Sequence, residues 1–248
     1  MNGLGLESTE FLGNRLCRMG GTAAWILLAY CLVTLTQIVV LGLPPATAEE
    51  TFAVLQENRI IGLVRLDLLT VVAMPLYYLL FVGLYTALKR SNLILSALAT
   101  GLVFVGITLL LTTPSVFSLA HLSDQFASAT SDAQRSVYLA AGEAMIASDM
   151  WHSTTSLMSG LFVQIAGVLI SYVMLQGRVF STIIGYIGIV AFGLDLAHII
   201  AGLFSAEAGF LLMAIAGPLY LPWFLLVGRR LLELGRTEPK PVSALPIT

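Results

Sequence analysis

The sequence predicts an all-α integral membrane protein, a bundle of six transmembrane helices with short interfacial helices on the outer side. Hydrophobic residues make up 58% of the 248 residues, charged residues only 10%, and the mean hydropathy is +0.92. A soluble domain carries about 25% charged residues because its surface must be solvated. Six apolar runs also reach the length of about 20 residues that crosses a bilayer. The lipid bilayer is therefore the expected solvent and partner of most of the chain.

The overall charge and the cysteines narrow the class further. The net charge is −2 and no basic stripe is present to follow phosphates, so we expect no nucleic-acid partner. If Cys17 and Cys31 lie on one helix, a rise of 1.5 Å per residue separates them by roughly 21 Å. That distance is too long for a disulfide. The cysteines therefore do not indicate a compartment.

The first apolar run covers residues 22–43 and ends at two prolines. Ala48 closes an Ala-Thr-Ala segment that resembles a signal-peptidase site, but the run is longer than the 7–15 residues of a signal h-region. We therefore expect an uncleaved span rather than cleavage after Ala48. Thr47, with Glu50 three residues later, has the pattern of a capping box and predicts a short amphipathic helix through Glu57.

The next two spans are predicted at residues 60–88 and 93–113. Arg65 and Asp67 lie near the start of the second span, and Pro75 lies in its middle. Proline removes a backbone hydrogen bond, so a kink is expected there. His121 follows the third span by two turns.

A long segment, residues 115–147, separates the third and fourth spans. Ser131 with Gln134 indicates a second capping box, and the helix that it opens is expected to lie along the outer interface and to bend into the fourth span near Trp151. The remaining spans are predicted at residues 153–176, 179–203 and 210–232. Residues 1–234 then form a single transmembrane domain, and residues 235–248 form a disordered cytoplasmic tail.

Lysine and arginine are concentrated on one side of the predicted topology. Because cytoplasmic loops are enriched in these residues, both termini are expected to be cytoplasmic. The opposite loops hold only Arg59 and Arg135, with Arg65 just inside a span. The residues on the cytoplasmic side are Arg15, Arg18, Lys89, Arg90, Arg178, Arg229, Arg230, Arg236 and Lys240.

The ionisable residues in or beside the spans are expected to share one outer layer. Counting about 20 residues from each cytoplasmic end places them within roughly 15 Å of depth. This layer predicts a polar pocket near the outer face. Its candidate residues are Arg65, Asp67, His121, Asp149, His152, Asp195 and His198.

Two of the three histidines lie in an Asp-x-x-His pattern, in which carboxylate and imidazole share one helix face. One interpretation is a metal site, because both groups bind zinc or iron. Paired motifs of this kind resemble di-iron bundles, with Asp67 and Glu143 as the extra acids. An offset of roughly 7 Å between His152 and His198 counts against one shared metal. The metal candidates are Asp149, His152, Asp195 and His198.

Two other interpretations compete with the metal site. The ionisable groups can satisfy one another, with Arg65 paired to one of the aspartates. Alternatively, they form a vestibule that binds or passes a small molecule. Gln164 is expected to make an interhelical hydrogen bond, and Tyr220 to lie in an interfacial belt or the core. The hydroxyl residues expected to line the vestibule are Ser148, Ser153, Thr154, Thr155, Ser156 and Ser159.

The order of parts resembles a known family. The parts are an acidic outer helix with Glu57-Asn58-Arg59, a second span ending Leu-Tyr-Thr-Ala-Leu-Lys-Arg at residues 84–90, a long outer segment reaching Asp149-Met150-Trp151, and a turn at Arg178. Over residues 18–234 this order resembles the bacterial six-span membrane proteins catalogued as domain of unknown function 4386. Members usually carry an Asp-Trp-like pair where Asp149-Met150-Trp151 stands, and the histidines match no pattern of the family. The resemblance implies a fold and a bacterial inner-membrane location, but no reaction.

These observations favour a polytopic inner-membrane protein whose outer-leaflet polar pocket binds or transports a small or lipidic molecule. The alternative is a metal-dependent, membrane-embedded enzyme that acts near the outer leaflet. The sequence contains no Walker loop, dinucleotide fingerprint, Gly-x-Ser-x-Gly or His-Glu-x-x-His motif. The substrate, the metal and the oligomeric state are left open.

Overall fold

The computed structural model describes residues 3–66, 68–113, 116–149 and 152–236, with side chains from Phe11 onwards. These residues form eleven helices and no strand, and six candidate spans are long and apolar enough to cross a membrane. The predicted all-α, six-span fold is confirmed. The helices are α1 Gly3–Leu41, α2 Ala48–Glu57, α3 Arg59–Arg65, α4 Leu68–Ala73, α5 Leu76–Leu88, α6 Leu93–Leu111, α7 Val116–Ser128, α8 Asp132–Ile146, α9 Thr154–Gln176, α10 Thr182–Gly202 and α11 Ala206–Arg236.

The spans form a closed ring. Going round it, α1 packs on α5, α5 on α6, α6 on α9, α9 on α10 and α10 on α11, and α11 returns to pack on α1. Short turns at residues 89–92 and 177–181 make successive helices antiparallel neighbours. Asn92 of the first turn donates its side-chain amide to Gln176 Oε1 over 3.0 Å, so both turns lie at one end of the ring.

That end of the ring carries most of the arginines and lysines, and we call it the basic end. It holds Arg15 and Arg18 near the start of α1, the turns at residues 89–92 and 177–181, and the end of α11. Arg230 near the end of α11 donates to the carbonyl of Val179 beside the second turn, over 2.7 Å. The side chain of Lys240 lies outside the described residues, as does most of the predicted tail.

Aromatic rings fill the bundle from its middle towards the basic end. Phe192 meets Trp223 edge to face at 4.9 Å between ring centroids, and both side chains are fully buried. A Cβ on Gly167 would lie 2.2 Å from Phe192, and one on Gly188 would lie 2.5 Å from the Trp223 indole nitrogen. These glycines therefore make room for the rings and allow the helices to pack closely.

Four short helices, α2, α3, α7 and α8, pack together at the opposite end of the ring, and we call them the cap. Phe52 and Leu55 of α2 are buried there, and the Phe52 ring lies 5.5 Å from that of Phe126 on α7. Glu143 of α8 accepts the backbone N–H of Ala48 over 2.7 Å, at the first residue of α2. A carboxylate at this position stabilises the orphan N–H groups of a helix start.

The two predicted N-terminal capping residues, Thr47 and Ser131, are confirmed. Thr47 Oγ1 accepts the N–H of Glu50 over 3.2 Å, and Ser131 Oγ accepts that of Gln134 over 3.3 Å. These hydrogen bonds begin α2 and α8, respectively. In contrast, α7 was not predicted, and α8 ends at Ile146 before the fourth span begins. Trp151, where a bend was expected, lies outside the described residues.

The second span differs from its prediction. One kinked helix was expected over residues 60–88, but the chain forms α3, α4 and α5. Pro75 makes the expected break before α5. A second break follows Arg65 because α3 belongs to the cap, where Gly62 allows close contact with Leu55 of α2: a Cβ at Gly62 would lie 2.9 Å from the Leu55 backbone.

Prolines and small residues in the last two spans behave differently from their usual tendencies. Proline commonly breaks a helix, yet α11 continues through Pro218 and Pro222. Gly193, Ala197 and Ala201 of α10, with Ser205 just after it, put a small residue at every fourth position, a pattern typical of close helix packing. A Cβ at Gly193 would meet no atom within 4 Å, so this end of the stripe is not a tight contact.

Candidate functional site

A cavity of about 570 Å³ lies inside the cap-side half of the ring. Residues from all six spans line it, which places it within the ring rather than on the surface. Its described lining contains one carboxylate, two imidazoles, three tyrosines and three serines among apolar side chains, and no lysine or arginine. The polar lining residues are Tyr30, Thr70, Tyr77, His152, Ser153, Ser156, Ser159, Gln164, Asp195, His198 and Tyr220.

Three polar side chains from successive helices meet in this cavity. Gln164 of α9 donates its amide N–H to Asp195 Oδ2 of α10 over 2.7 Å. Tyr220 of α11 has its hydroxyl 2.9 Å from the same oxygen and 3.0 Å from Gln164 Oε1. Because α9, α10 and α11 are neighbours in the ring, this triangle ties three spans together.

The triangle leaves one carboxylate oxygen open. Both hydrogen bonds of Asp195 end on Oδ2, and Oδ1 has no hydrogen-bond donor among the described residues. A carboxylate offers about four lone-pair sites on its two oxygens. Since Asp195 lines the cavity, Oδ1 keeps acceptor capacity for a group that enters it.

The tyrosines of the cavity are held by aromatic neighbours. The Tyr220 ring meets Phe192 edge to face at 5.1 Å and stacks on Phe224 at 6.1 Å. Tyr77 meets Phe224 edge to face, also at 6.1 Å. On the neighbouring helix α1, Tyr30 shares a hydrogen bond of 2.9 Å with Thr70 of α4. The rings are therefore fixed by packing before any ligand enters.

The two Asp-x-x-His copies are built differently. His152 Nδ1 lies 2.9 Å from Asp149 Oδ1, and Asp149 also accepts the His152 backbone N–H over 3.1 Å. The second copy forms no such pair, because His198 Nδ1 lies 2.9 Å from the carbonyl of Gly209 on α11. The Asp149 side chain is 10% exposed and that of His152 is 62% exposed, so the imidazole lies at the exposed rim of the cavity beside a buried carboxylate.

The predicted pocket residues do not all meet. His152, Asp195 and His198 line the cavity, and Asp149 holds His152. His121 is exposed on α7 of the cap and is not among the residues that line the cavity. The segment after the third span folds into the cap, which carries His121 away from the bundle.

Arg65 also lies away from the cavity. It ends α3 in the cap, and its Nη2 donates to the backbone carbonyl of Leu43 over 2.9 Å. The ion pairs found among the described residues do not join it to Asp149 or Asp195. Asp67, the remaining proposed partner, lies outside the described residues.

The serines of α9 follow the predicted vestibule in part. Ser153, Ser156 and Ser159 line the cavity, whereas Ser148, Thr154 and Thr155 do not. Ser153 also caps α9 by accepting the N–H of Ser156 over 3.1 Å. Residues 153, 156 and 159 recur at three-residue spacing, so they share a helix face. Thr154 and Thr155 lie on other faces of the helix.

Sequence reasoning missed the tyrosines of the cavity and gave Gln164 only a packing role. Gln164 and Asp195 each lie about a dozen residues from the α9–α10 turn, which puts both about 18–20 Å above it. This depth match was a usable signal for that pair. Tyr220 carried none, because tyrosines are common at interfaces and in cores alike.

The described residues offer no metal centre. They contain no group of three or more His, Cys, Asp or Glu side chains placed to hold a metal ion. Glu143, named as an extra acid for such a site, accepts the N–H of Ala48 in the cap instead. Asp195 is bound by Gln164 and Tyr220, and the metal interpretation therefore has no cluster to rest on in this part of the chain.

Comparison with known proteins adds no relative. No protein-family model, no curated protein and no solved structure matches the chain significantly. The resemblance to domain of unknown function 4386 stays a prediction. On the strength of its own six apolar helices, the chain is a polytopic membrane protein.

Proposed function

We propose that this protein lies in a bacterial cytoplasmic membrane, with the cap outside and both termini in the cytoplasm, and that it binds a small or lipidic molecule in the cavity. Transport or sensing of that molecule would follow from binding. The observation that carries the proposal is the 570 Å³ cavity inside the ring with its Gln164–Asp195–Tyr220 triangle.

The charge distribution supports the orientation. The basic end holds eight described arginines and lysines, whereas the cap has only Arg59, Arg65 and Arg135. Positive charge is retained on the cytoplasmic side during insertion. The basic end therefore faces the cytoplasm in this proposal, and the cavity opens in the outer half of the membrane.

The cavity has the properties of a ligand site. Pockets for small molecules typically enclose about 300–1,000 Å³ and combine apolar walls with a few fixed polar groups. Here Met74, Ile107, Leu110 and Val163 supply apolar wall, and the triangle supplies the polar groups. An ionisable residue inside a span is costly and commonly marks a substrate or ion path.

The polar groups do not simply satisfy one another, which distinguishes a binding site from interhelical packing. Asp195 Oδ1 has no donor within the described part of the chain. His152 and His198 each use Nδ1, and no described residue hydrogen-bonds to their Nε2 atoms. Three groups around one cavity thus keep hydrogen-bonding capacity for a ligand.

The test is native mass spectrometry of the protein extracted from its membrane in a mild detergent. The wild-type chain should carry a bound molecule of defined mass. Ser156→Trp, which fills the cavity from α9, should lose it. Tyr172→Trp is the matched control because Tyr172 is an exposed residue of the same helix. Equal occupancy in all three proteins would place the bound molecule elsewhere and refute the proposal.

A further inference from the structure

We propose that the ligand of the cavity is a protonated amine with an apolar body, and that the Asp195 carboxylate is its counter-ion. This inference rests on the proposed function, since it names the chemical class that the same cavity takes. It follows from the charge of the lining, the geometry of the carboxylate and the aromatic side chains beside it.

Among the described residues, the lining carries one acidic group and no permanent positive charge. Asp195 is its single carboxylate in the described part of the chain, and no lysine or arginine reaches it. Arg65, the nearest arginine by sequence prediction, instead donates to Leu43 in the cap. A carboxylate in a region of low dielectric constant gains most from a cation at short range.

The histidines are poorly placed to be that cation. His198 lies one turn from Asp195 on α10, but its Nδ1 lies 2.9 Å from the Gly209 carbonyl, and it forms no ion pair with Asp195. His152 is paired with Asp149, so its positive charge, when present, is already balanced. The Asp195 carboxylate therefore forms no ion pair with another described residue.

The geometry around Asp195 favours an N–H donor as the missing partner. Gln164 and Tyr220 hold Oδ2 at 2.7 and 2.9 Å, which fixes the plane of the carboxylate and leaves Oδ1 open. An ammonium group has N–H donors for such an oxygen, and charge-assisted hydrogen bonds are about twice as strong as neutral ones. An anion would be repelled at this position.

The aromatic residues add to the same preference. Tyr220 lies against the carboxylate through its hydroxyl, and Tyr30 and Tyr77 line the same cavity. Aromatic faces attract ammonium ions within about 6 Å of the ring centroid. Phe192 and Phe224 hold the Tyr220 ring, so this environment is in place before binding.

The rest of the cavity has room for an apolar body. Above Asp195, its wall includes Ile107, Leu110, Ile199 and Leu203. An inorganic cation would leave this apolar surface and most of the volume unused. The described residues also offer it no cluster of acidic ligands. An amine bearing a hydrocarbon or aromatic group matches both parts of the cavity.

The experiment is calorimetric titration of the full-length protein in phosphatidylcholine nanodiscs. The probes are phenethylamine, 2-phenylethanol and phenylacetate, which share one ring and differ in charge. We expect the wild-type protein to bind the amine at least about tenfold more tightly than the alcohol, the difference of one charge-assisted hydrogen bond, and the acid more weakly than either. Asp195→Asn should remove the preference for the amine and keep the alcohol affinity within about twofold.

The matched control is Asp124→Asn, the same change at an exposed acid of the cap that pairs with Arg59. It should keep the wild-type preference. Equal affinity for amine and alcohol, unchanged in Asp195→Asn, would overturn the amine assignment and leave binding in the cavity intact. Failure of all three probes to bind would overturn the amine assignment and weaken the proposed function with it. The wild-type comparison needs no variant, so misfolding of Asp195→Asn would not protect the proposal.

Discussion

The amide of Gln164 donates to the carboxylate of Asp195 over 2.7 Å and joins α9 to α10 inside the membrane-spanning bundle. The two residues lie at matching depth on antiparallel helices, so the contact needs no bend in either one. A hydrogen bond to a charged group contributes about 1.5–3 kcal/mol. This contact therefore has consequences for stability that are separable from ligand binding.

Replacing Gln164 with leucine should lower the free energy of unfolding by about 1.5–3 kcal/mol, because it removes a donor from a largely enclosed carboxylate. The measurement is thermal unfolding in detergent, followed by circular dichroism. Gln37→Leu is the matched control, since Gln37 has no hydrogen bond to a described residue. Equal unfolding midpoints for the two variants would contradict the prediction.

Replacing Tyr220 with phenylalanine should also destabilise the protein, by about 1–2 kcal/mol, while the ring contacts with Phe192 and Phe224 remain. Because Tyr220 and Gln164 donate to one oxygen, the two losses should not add. A double-mutant cycle measures this coupling, and we expect it to exceed about 0.5 kcal/mol. Strict additivity would mean that the triangle does not act as a unit.

The glycines of the ring give a paired prediction about packing. Gly167→Ala should destabilise the protein by about 1–3 kcal/mol, because its Cβ would lie 2.2 Å from Phe192. Gly193→Ala introduces the same methyl group where no atom lies within 4 Å, so it should be neutral or slightly stabilising. Unfolding midpoints of the two variants test the contrast. A neutral Gly167→Ala would show that Phe192 can move aside at little cost.

The proposed orientation predicts the side of two reporters. A reporter fused after Thr248 should report the cytoplasm, and one inserted at Ser128 at the end of α7 should report the outside. Paired alkaline phosphatase and green fluorescent protein fusions measure this in cells. An inside signal at Ser128 would place the cap and the cavity in the cytoplasmic half of the membrane.

The metal alternative has its own measurement. Purified protein should contain zinc or iron well below one ion per chain by plasma mass spectrometry, because the described residues form no ligand cluster. The decisive variants are His152→Ala and His198→Ala. A stoichiometric metal that disappears in either variant would make the enzyme interpretation the preferred one.

The fold could be predicted from the sequence because each span is a long apolar run that can be recognised by itself. A run of apolar residues as long as α9 or α10 has one stable environment, and short turns then make neighbours antiparallel. The starts of α2 and α8 were equally clear, since Thr47 and Ser131 are local signals. The separation of α3 from the second span could not be predicted, because it depends on contact between Gly62 and Leu55 across the cap.

For the candidate site, only the depth of its residues in the membrane could be predicted from the sequence. The sequence located Asp195, His198 and His152 in one layer, and all three line the cavity. It could not say which side chain holds which, because an i, i+3 spacing permits a pair without requiring it. Asp149 and His152 form that pair. Asp195 and His198 instead form hydrogen bonds with residues of neighbouring helices, Gln164 and Gly209 respectively. Tyr30 and Tyr77 line the cavity because of the order of the helices round the ring, which the sequence did not reveal.

The contact between α1 and α11 sets an order on biogenesis. Gly21 of α1 packs against Leu232 of α11, so the ring cannot close before α11 has been made. Tyr220, which completes the triangle, arrives on that same final helix. Every nascent chain lacking α11 thus exposes the Asp195 carboxylate without its hydroxyl donor and without one wall of its cavity.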